Sequence, residues 1–463
     1  MILTATTARR LDVLLAREQV SGRLPSLVGG VVRDGDLAWT GSVSALPGFT
    51  AGPDVQYRIG SIAKTLVAVL VLQLRDEGAL DLNDRLDAHL PGIAYGARTL
   101  RELLAHSSGM HAEPPGPWWE RSAGVSFEQL TAALDDSAPA FAPGVTFHYT
   151  NVAFALLGEV VARHRGTSWW EQVSSRILGP LGMRRTSYLP RAPHATGYSV
   201  HHYANTLTEE PAHDAGAMAP AGQVWSTVED LGRYAAFLVS GHDDVLPRAT
   251  LEEMSTPQSA SRASAIAASH GLGFQIVAGG SRMLFGHTGS MPGFVAGLFV
   301  DPVRRTGAAL LANGTTGLRA DGLAVDLLES VEASEGTIPA PWKPARAVPP
   351  AVEEILGVWH WGNTAFAFSW DGREVVVRKA EGGARMHQFA PQEDGSFLGT
   401  AGYHHGERLD VVRNDDGRIN HLVCQTFVYT RTPTTPLPPS PADPADPARP
   451  HVSNPLDPAR PQL

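Results

Sequence analysis

The chain of 463 residues contains one cysteine, Cys424, and only three lysines, Lys64, Lys343 and Lys379. A single cysteine excludes an internal disulfide framework and a cysteine-rich metal site, and its apolar surroundings predict a buried strand position. No run of residues is long and apolar enough to cross a bilayer. Residues 4–19 mix charges with leucines at helical spacing, which predicts an amphipathic helix rather than a signal peptide. We therefore expect a cytoplasmic protein with no membrane partner.

What is present fits a globular protein of two or three domains. Hydrophobic residues make up 43% of the chain and charged residues 18%, as in ordinary soluble domains. The formal net charge of −10 argues against a nucleic-acid-binding surface.

The pattern of elements divides the chain into four parts. Residues 1–336 have strand patterns near both ends and helical periodicity between them, which predicts one antiparallel sheet flanked by helices and an all-α region. Residues 337–350 are proline-rich and predict a linker. In residues 351–432, short strands alternate with Asp-Gly turns, which predicts an antiparallel meander closed into a small lipocalin-like β-barrel. Residues 433–463 are rich in proline and predict a disordered tail.

The first candidate for chemistry is Ser61-Ile62-Ala63-Lys64, at the start of a helix that is apolar on almost every side and reaches Gly78. Residues three apart on a helix lie on one face, so the hydroxyl of Ser61 and the amine of Lys64 are neighbours. A buried lysine can lose its proton and act as a base, which arginine cannot do. On this motif alone, a helix-capping serine followed by a surface lysine is an equal alternative.

Two later segments offer the other groups that acyl transfer needs. Tyr149 and Asn151 lie in a loop that leads into a helix, where a phenol can relay a proton and an amide can donate and accept hydrogen bonds. Residues 285–290 end a strand with Gly-His-Thr-Gly-Ser, where the glycines permit close approach of a substrate backbone. His287 can donate a hydrogen bond to a carboxylate or to the tyrosine oxygen.

The order Ser-x-x-Lys, Tyr-x-Asn, His-Thr-Gly resembles the serine β-lactamase and penicillin-binding-protein superfamily, and most closely its class C-like branch of D-peptidases and esterases. Residues 99–109, 179–183, 225–231 and 292–294 also resemble segments of that family. The resemblance covers most of the first 335 residues. It implies an α/β (α+β) β-lactamase-like catalytic domain over residues 1–336.

The resemblance also implies roles for individual residues. Ser61 would be the acylated nucleophile and Lys64 the base that activates it. Tyr149 would move protons between the nucleophile, the leaving group and the acceptor. Asn151 would hold Lys64 and contact the amide of the acyl chain. No cofactor is implied.

The same resemblance assigns the substrate-binding wall. The oxyanion hole would be formed by the backbone N–H groups of Ser61 and Ser290. Thr288, Gly289 and Trp225 would border the substrate. His287 stands where β-lactamases usually have lysine, which argues against an efficient β-lactamase.

Within the family, the chain looks most like the penicillin-binding-protein-type thioesterases, stand-alone cyclases that release nonribosomal peptides as macrolactams. Such an enzyme takes a peptidyl thioester, delivered by a carrier protein, and lets the amine of the peptide displace it. A cytoplasmic D-stereospecific peptidase, amidase or esterase with water as the acceptor is the alternative, and a non-catalytic penicillin-binding or sensory protein is a remote one. The oligomeric state is left open, with a monomer as the simplest expectation.

Histidines complete the list of candidates. Their spacing along the chain shows no pair suited to a metal ion, so no metal site is expected. The histidines that we assign to structural or surface positions are His106, His201, His202 and His213.

Overall fold

A computed structural model describes residues 3–260, 268–279, 282–335 and 341–433. It divides into two compact units, Met1–Ile338 and Pro339–Leu463. The predicted tail, after its first residue, and part of the predicted linker lie outside the described residues. Of the helices in the described ranges, none combines the length and apolar content needed to cross a membrane. The cytoplasmic location stays a prediction.

The strands of the first unit come mainly from its two ends. In chain order they are β1 Ser26–Arg33, β2 Asp36–Ser44, β3 Tyr57–Arg58, β4 Tyr198–Val200, β5 Leu207–Glu209, β6 Trp225–Ser226, β7 Ala268–His270, β8 Gln275–Gly279, β9 Arg282–Met291, β10 Phe294–Asp301 and β11 Thr306–Ala312. Seven of them form one antiparallel sheet in the order β2-β1-β11-β10-β9-β8-β7. The predicted sheet built from both chain ends is therefore confirmed.

The helices of this unit lie mostly between the two groups of strands. They are α1 Ala5–Gly22, α2 Ala63–Asp76, α3 Leu86–His89, α4 Leu100–Leu104, α5 Phe127–Ala133, α6 Asn151–Arg165, α7 Trp169–Val173, α8 Gly179–Leu181, α9 Val228–Ser240, α10 Arg248–Met254 and α11 Ala320–Ser334. Two 3₁₀ turns, Gly60–Ile62 and Gly216–Ala221, and a π-helical turn, Ser174–Leu178, complete the set.

The main sheet is buried on both faces, because alternate residues of a strand point to opposite sides. On β1, Val28 and Val32 enter the core that surrounds α2, whereas Leu27 and Val31 enter a second core under α1 and α11. Helix α2 is buried from Ala63 to Leu74, as expected for a helix that is apolar all round. The start of this helix is thus held rigidly between the sheet and the helical region.

The second unit is a closed antiparallel barrel preceded by α12 Pro350–Ile355. Its strands are β12 Gly357–Trp361, β13 Thr364–Trp370, β14 Val375–Lys379, β15 His387–Pro391, β16 Phe397–Gly402, β17 Arg408–Arg413, β18 Ile419–Cys424 and β19 Phe427–Thr430. Pairing of His360 with Thr430 closes the barrel between its first and last strands. Cys424 is fully buried in β18. The predicted meander, its closure and the buried cysteine are confirmed.

Candidate active site

Ser61 and Lys64 form a direct hydrogen-bonded pair at the start of α2. Ser61 is the middle residue of the 3₁₀ turn Gly60–Ile62, and Lys64 is the second residue of α2. The ammonium or amine nitrogen Nζ lies 2.9 Å from Ser61 Oγ and 2.7 Å from the backbone oxygen of Ala221. Ser61 is half-buried, whereas Lys64 is completely buried. The arrangement leaves the hydroxyl reachable and its neighbouring amine shielded from water.

Burial lowers the pKa of Lys64 to about 7, and the nearby carboxylates of Glu113 and Glu120 partly oppose this shift. The ordinary lysine pKa lies near 10.4, so a large share of Lys64 is neutral at pH 7. A neutral amine hydrogen-bonded to a serine hydroxyl can accept its proton. The alternative of a surface lysine beside a helix-capping serine is excluded by the burial of Lys64.

Tyr149 places a phenol beside this pair. Its ring centroid lies 5.0 Å from Lys64 Nζ. Its hydroxyl is buried and has no hydrogen-bond partner among the described residues. Burial raises the pKa of Tyr149 above its ordinary value, and the hydroxyl of Ser61 lies near enough to offset this in part. Tyr149 is therefore a protonated phenol that faces the nucleophile and has its proton free to give.

The backbone around Tyr149 is fixed by the helix that follows it. Thr150 is the N-cap of α6, and its hydroxyl accepts a hydrogen bond from the N–H of Ala153. The N–H of Thr150 donates to Nδ1 of His106 at 3.1 Å, and the His106 ring stacks on the Tyr149 ring at 4.2 Å between centroids. A capped helix and a stacked imidazole together hold the phenol in place.

Asn151 corrects one expectation. We expected its side chain to hold Lys64, but its Nδ2 donates to Glu113 Oε1 at 2.6 Å, and Lys64 instead contacts Ser61 and Ala221. Trp119 Nε1 donates to the other carboxylate oxygen of Glu113 at 2.8 Å. Asn151 thus acts on Lys64 through Glu113, by orienting a carboxylate. Glu113 follows no recognisable motif spacing, so its role emerges only from the folded chain.

Two glycines let β9 run directly beside the nucleophile. Gly60 has a positive φ of 51°, and a Cβ added to it would lie 2.4 Å from the N and 2.8 Å from the O of Ser290. A Cβ added to Gly289 would lie 1.9 Å from the O of Ile59. Only glycine fits at either position without displacing backbone.

The same distances show where the backbone of Ser290 points. The N–H and C=O of a strand residue share one edge of the strand, and in Ser290 that edge faces the 3₁₀ turn rather than β10. Strand β8 pairs with β9 only as far as Gly286, so it does not cover this edge. The N–H of Ser61 lies at the start of a helical segment, where N–H groups have no partner within the helix. These two N–H groups can receive a developing oxyanion, as the resemblance implies.

His287 and Thr288 lie one after the other on β9. His287 is buried, and its Nδ1 donates to the backbone oxygen of Thr288. Burial lowers the pKa of His287 well below its ordinary value, with further lowering from Lys64. His287 is therefore neutral. No hydrogen bond joins it to Tyr149, whose ring centroid lies 6.0 Å away.

His287 belongs to a group of three histidines that sequence spacing does not reveal. A ring nitrogen of each of His106, His270 and His287 lies within 4.8 Å of the others, and all three Nε2 atoms are buried without a hydrogen-bond partner in the described chain. Because His106 Nδ1 accepts a hydrogen bond from Thr150, the proton of neutral His106 is on Nε2. A metal ion needs a lone pair from each ligand, so this proton disfavours a three-histidine metal site.

The barrel contains a second polar group. Nδ1 of His404 lies 2.6 Å from Oε2 of Glu407, and Sγ of Cys424 lies 3.6 Å from the same oxygen. These three residues have ligand atoms close enough together to hold a metal ion. Tyr429 and His404 Nε2 are 3.2 Å apart, so each group of this network also has a partner without any metal.

Trp225 lies beneath the site rather than in it. It is buried in β6, which pairs with β3 just before the nucleophile turn. Its ring packs against Phe294 and His194. Trp225 therefore supports the strand that leads to Ser61 and does not line the cavity described next.

A cavity of about 410 Å³ opens beside Ser61. It extends along β9 to the start of α11. Its lining comprises Ser61, Tyr149, Gln275, His287, Thr288, Gly289, Ser290, Val295, Leu318, Ala320 and Asp321. Of the residues predicted for substrate binding, Thr288, Gly289 and Ser290 reach it, and Gln275 and Asp321 are additions that no motif indicated.

Family models match both units of the chain. A model described as Beta-lactamase matches residues 8–331. A model described as a domain of unknown function, DUF7586, matches residues 348–431.

Individual proteins are similar over different lengths. Penicillin-binding protein 4 of Amycolatopsis lactamdurans is 28% identical over 333 residues, which are 66% of this chain and 84% of that protein. Beta-lactamase-like protein 2 of Dictyostelium discoideum is 27% identical over 272 residues, which are 54% of this chain and 48% of that protein. The chain thus matches about half the length of the Dictyostelium relative.

Two solved structures extend the comparison. A D-stereospecific amidohydrolase from Streptomyces sp. is 28% identical, covers 72% of this chain and 99% of its own, and has a TM-score of 0.59. The octameric penicillin-binding protein homologue from Pyrococcus abyssi is 20% identical, covers 91% of this chain and 99% of its own, and has a TM-score of 0.64. The second likeness concerns the fold alone.

Proposed function

The chain belongs to the beta-lactamase family, and from that premise we propose that it forms an acyl-enzyme on Ser61 and transfers the acyl group to an amine or to water. The observation that carries this proposal is the contact of 2.9 Å between Ser61 Oγ and the buried Nζ of Lys64. A lysine with a pKa of about 7 is matched to work as a base near neutral pH.

Each group of the site has a step to perform. Neutral Lys64 takes the proton of Ser61 while Oγ bonds to the carbonyl carbon of the donor. The carbonyl oxygen becomes an oxyanion, which the N–H groups of Ser61 and Ser290 stabilise. When the tetrahedral intermediate collapses, the bond to the leaving group breaks and Tyr149 gives its proton to that group. Tyr149 is then reprotonated from Lys64, which leaves the acyl-enzyme with a neutral amine.

For the donor, we propose an amide or thioester of a D-configured aminoacyl or peptidyl group. The support is the 28% identity with the Streptomyces D-stereospecific amidohydrolase. A thioester donor would be delivered on a carrier protein. The carboxylate of Glu113, held by Asn151 and Trp119, can attract an ammonium group of the substrate.

For the acceptor there are two candidates. Attack by the amine of the bound peptide would give a macrolactam. The carboxylate of Glu113 near Lys64 favours this acceptor, because Glu113 would attract an incoming ammonium group and Lys64 would then deprotonate it. Water would give a free acid, and the likeness to an amidohydrolase favours it. We rank cyclisation first for a peptidyl thioester and hydrolysis first for a simple amide.

The nucleophile is tested with a fluorophosphonate that carries a fluorescent tag. Wild-type protein should be labelled, and Ser61→Ala should not. Ser290→Ala is the matched control, because Ser290 acts through its backbone N–H and this variant should still be labelled. Labelling of Ser61→Ala at the wild-type rate would contradict the assignment.

The acceptor is tested with a peptidyl thioester that ends in a D-residue and has a free N-terminal amine. The product is identified by mass. A cyclic product, lighter than the linear acid by one water, supports the cyclase. Only linear acid would reject cyclisation and leave the D-stereospecific hydrolase, and the same thioester with an L-residue tests the configuration.

A further inference from the structure

We propose that the side of the cavity between Thr288 and the start of α11, away from the oxyanion hole, disfavours negatively charged groups, so that the enzyme prefers donors whose leaving group is uncharged or cationic over donors whose leaving group carries a free carboxylate. This inference rests on the proposed function and specifies its substrate class.

The donors of Thr288 are already used within the protein. Its N–H donates to Gln275 Oε1 at 2.9 Å, and its hydroxyl donates to the same oxygen at 3.1 Å. Gln275 therefore occupies the two donors that would otherwise point into the cavity. A carboxylate placed there would meet the lone pairs of Thr288 Oγ1 and Gln275 Oε1, and of these two residues only the amide N–H groups of Gln275 would remain to donate to it.

His287 does not supply a positive charge. Its Nδ1 proton goes to the backbone oxygen of Thr288. The imidazole is buried near Lys64, His106 and His270, so a second positive charge there would be repelled and poorly solvated. None of the described residues that line the cavity is a lysine or an arginine.

Two of the N–H groups at the start of α11 are occupied in the same way. A helix N-terminus attracts anions through its free N–H groups, but here Asp321 Oδ1 accepts from the N–H of Gly322. The N–H of Arg319 donates to Glu18 Oε1, and the guanidinium of Arg319 binds Glu18 and Asp326. The carboxylate of Asp321 lines the cavity and is exposed. The only formal charge that these lining residues present is therefore negative.

An uncharged group meets no such penalty. A carboxylate on this side of the cavity that loses water and gains only the neutral amide of Gln275 in return is destabilised enough to weaken its binding by roughly tenfold. Because Asp321 is exposed, its own repulsion is screened by salt and should account for about a twofold to fivefold part. The rest of the loss in affinity for the carboxylate comes from the hydrogen-bond donors of Thr288 and His287, which are already occupied within the protein.

The test compares two ligands that differ in one charge. The ligands are D-phenylalanyl-D-alanine and D-phenylalanyl-D-alaninamide, and their binding to the full-length Ser61→Ala variant is measured by calorimetry, so that turnover does not interfere. We expect the amide to bind at least tenfold more tightly. Asp321→Asn should improve binding of the acid twofold to fivefold and leave the amide unchanged, and Asp321→Lys should improve it further. The matched control is Glu329→Gln, an exposed carboxylate on the same helix that does not line the cavity.

Equal affinity for the two ligands, tighter binding of the acid, or binding of neither would overturn the proposal. Raising the salt concentration should reduce the difference in affinity between the amide and the acid when Asp321 is present. It should not reduce this difference in the Asp321→Asn variant. The proposed function fails by a different result, the absence of fluorophosphonate labelling of Ser61 in the wild-type protein. Tighter binding of the amide without labelling of Ser61 would therefore contradict the proposed enzymatic function but support the proposed charge selectivity of the cavity.

Discussion

At the scale of single residues, the protonation of Lys64 decides whether Ser61 can react. Full burial disfavours the ammonium form, while Glu113 and Glu120 favour it. The balance leaves a lysine that is neutral often enough to act as a base at pH 7. The activity should therefore follow the titration of Lys64.

This balance predicts the pH dependence of acylation. Below pH 7 Lys64 is protonated and cannot accept the proton of Ser61, so kcat/KM should rise with pH and level off above an apparent pKa of about 7. The measurement is the rate of fluorophosphonate labelling between pH 5 and 9. Lys64→Arg keeps the charge but cannot deprotonate, so its labelling should fall by about a thousandfold or more. A pH-independent rate in the wild type would contradict the role of Lys64.

Removing the charge of Glu113 should move this titration to lower pH. Glu113 raises the pKa of Lys64 against the effect of burial, so Glu113→Gln lowers that pKa and shifts the rise in kcat/KM to a pH below 7. The glutamine keeps one acceptor oxygen for the two donors of Glu113, Asn151 and Trp119, so the readout is the position of the pH profile rather than the absolute rate. Glu128→Gln, an exposed carboxylate on α5, is the control and should leave the profile in place. A shift of the profile to higher pH would contradict the effect of Glu113 on the pKa of Lys64.

Ser61, Lys64 and Tyr149 could be identified from sequence because their chemistry is tied to short spacings and to a known order of motifs. Glu113 and Gln275 could not. Their partners, Asn151 and Thr288, are 38 and 13 residues away along the chain, and a carboxylate or an amide in a loop has no periodicity. The expected contact between Asn151 and Lys64 was wrong for a related reason. The sequence does not indicate that Glu113 lies at the site, and Glu113 accepts the hydrogen bond that the amide of Asn151 donates.

At the scale of elements, the approach of β9 to the nucleophile turn sets the geometry of the oxyanion hole. The approach depends on Gly60 and Gly289, since either Cβ would collide with backbone of the facing element. Main-chain atoms cannot move aside as a flexible side chain can. The spacing between the N–H of Ser61 and that of Ser290 therefore depends on glycine at both positions.

Gly289→Ala should separate these two elements. The new Cβ would lie 1.9 Å from the O of Ile59, so β9 must shift away from the turn, and we expect labelling of Ser61 to slow by more than about tenfold, with a loss of about 1–3 kcal/mol in stability. Gly179→Ala is the control, because its nearest contact would be 3.4 Å. Labelling rates and thermal melting together check the prediction, and a Gly289→Ala variant that reacts at the wild-type rate would refute it.

Most elements could be predicted from periodicity and turn residues, as with the Asp34-Gly35 turn between β1 and β2 and the buried helix α2. The predicted first and last residues of these elements were less accurate than the predicted element types. Helix α1 extends to Gly22, beyond the predicted residue 19, and the nucleophile sits in a 3₁₀ turn ahead of α2. Helix α12 was not predicted, since six residues between a proline pair and a strand give too short a pattern to distinguish from a loop.

At the scale of the whole molecule, each unit has a hydrophobic core of its own. The cores of the first unit surround α2 and underlie α1 and α11, and the core of the second fills the barrel around Trp359. Between them, residues 341–349 form no helix or strand. All the residues that we place in the acyl-transfer site belong to the first unit, so their reactivity should report on that unit.

Because the cores are separate, unfolding should take place in two transitions that can be assigned by matched core variants. Leu66→Ala removes a buried side chain from α2, and Phe389→Ala removes one from the barrel; each should cost about 2–5 kcal/mol. Calorimetry of the full chain should show that Leu66→Ala lowers one transition and Phe389→Ala the other. Heating in steps before fluorophosphonate labelling should show that loss of Ser61 reactivity follows the transition that Leu66→Ala lowers. A single transition that both variants lower by the same amount would instead show that the two units unfold as one cooperative body.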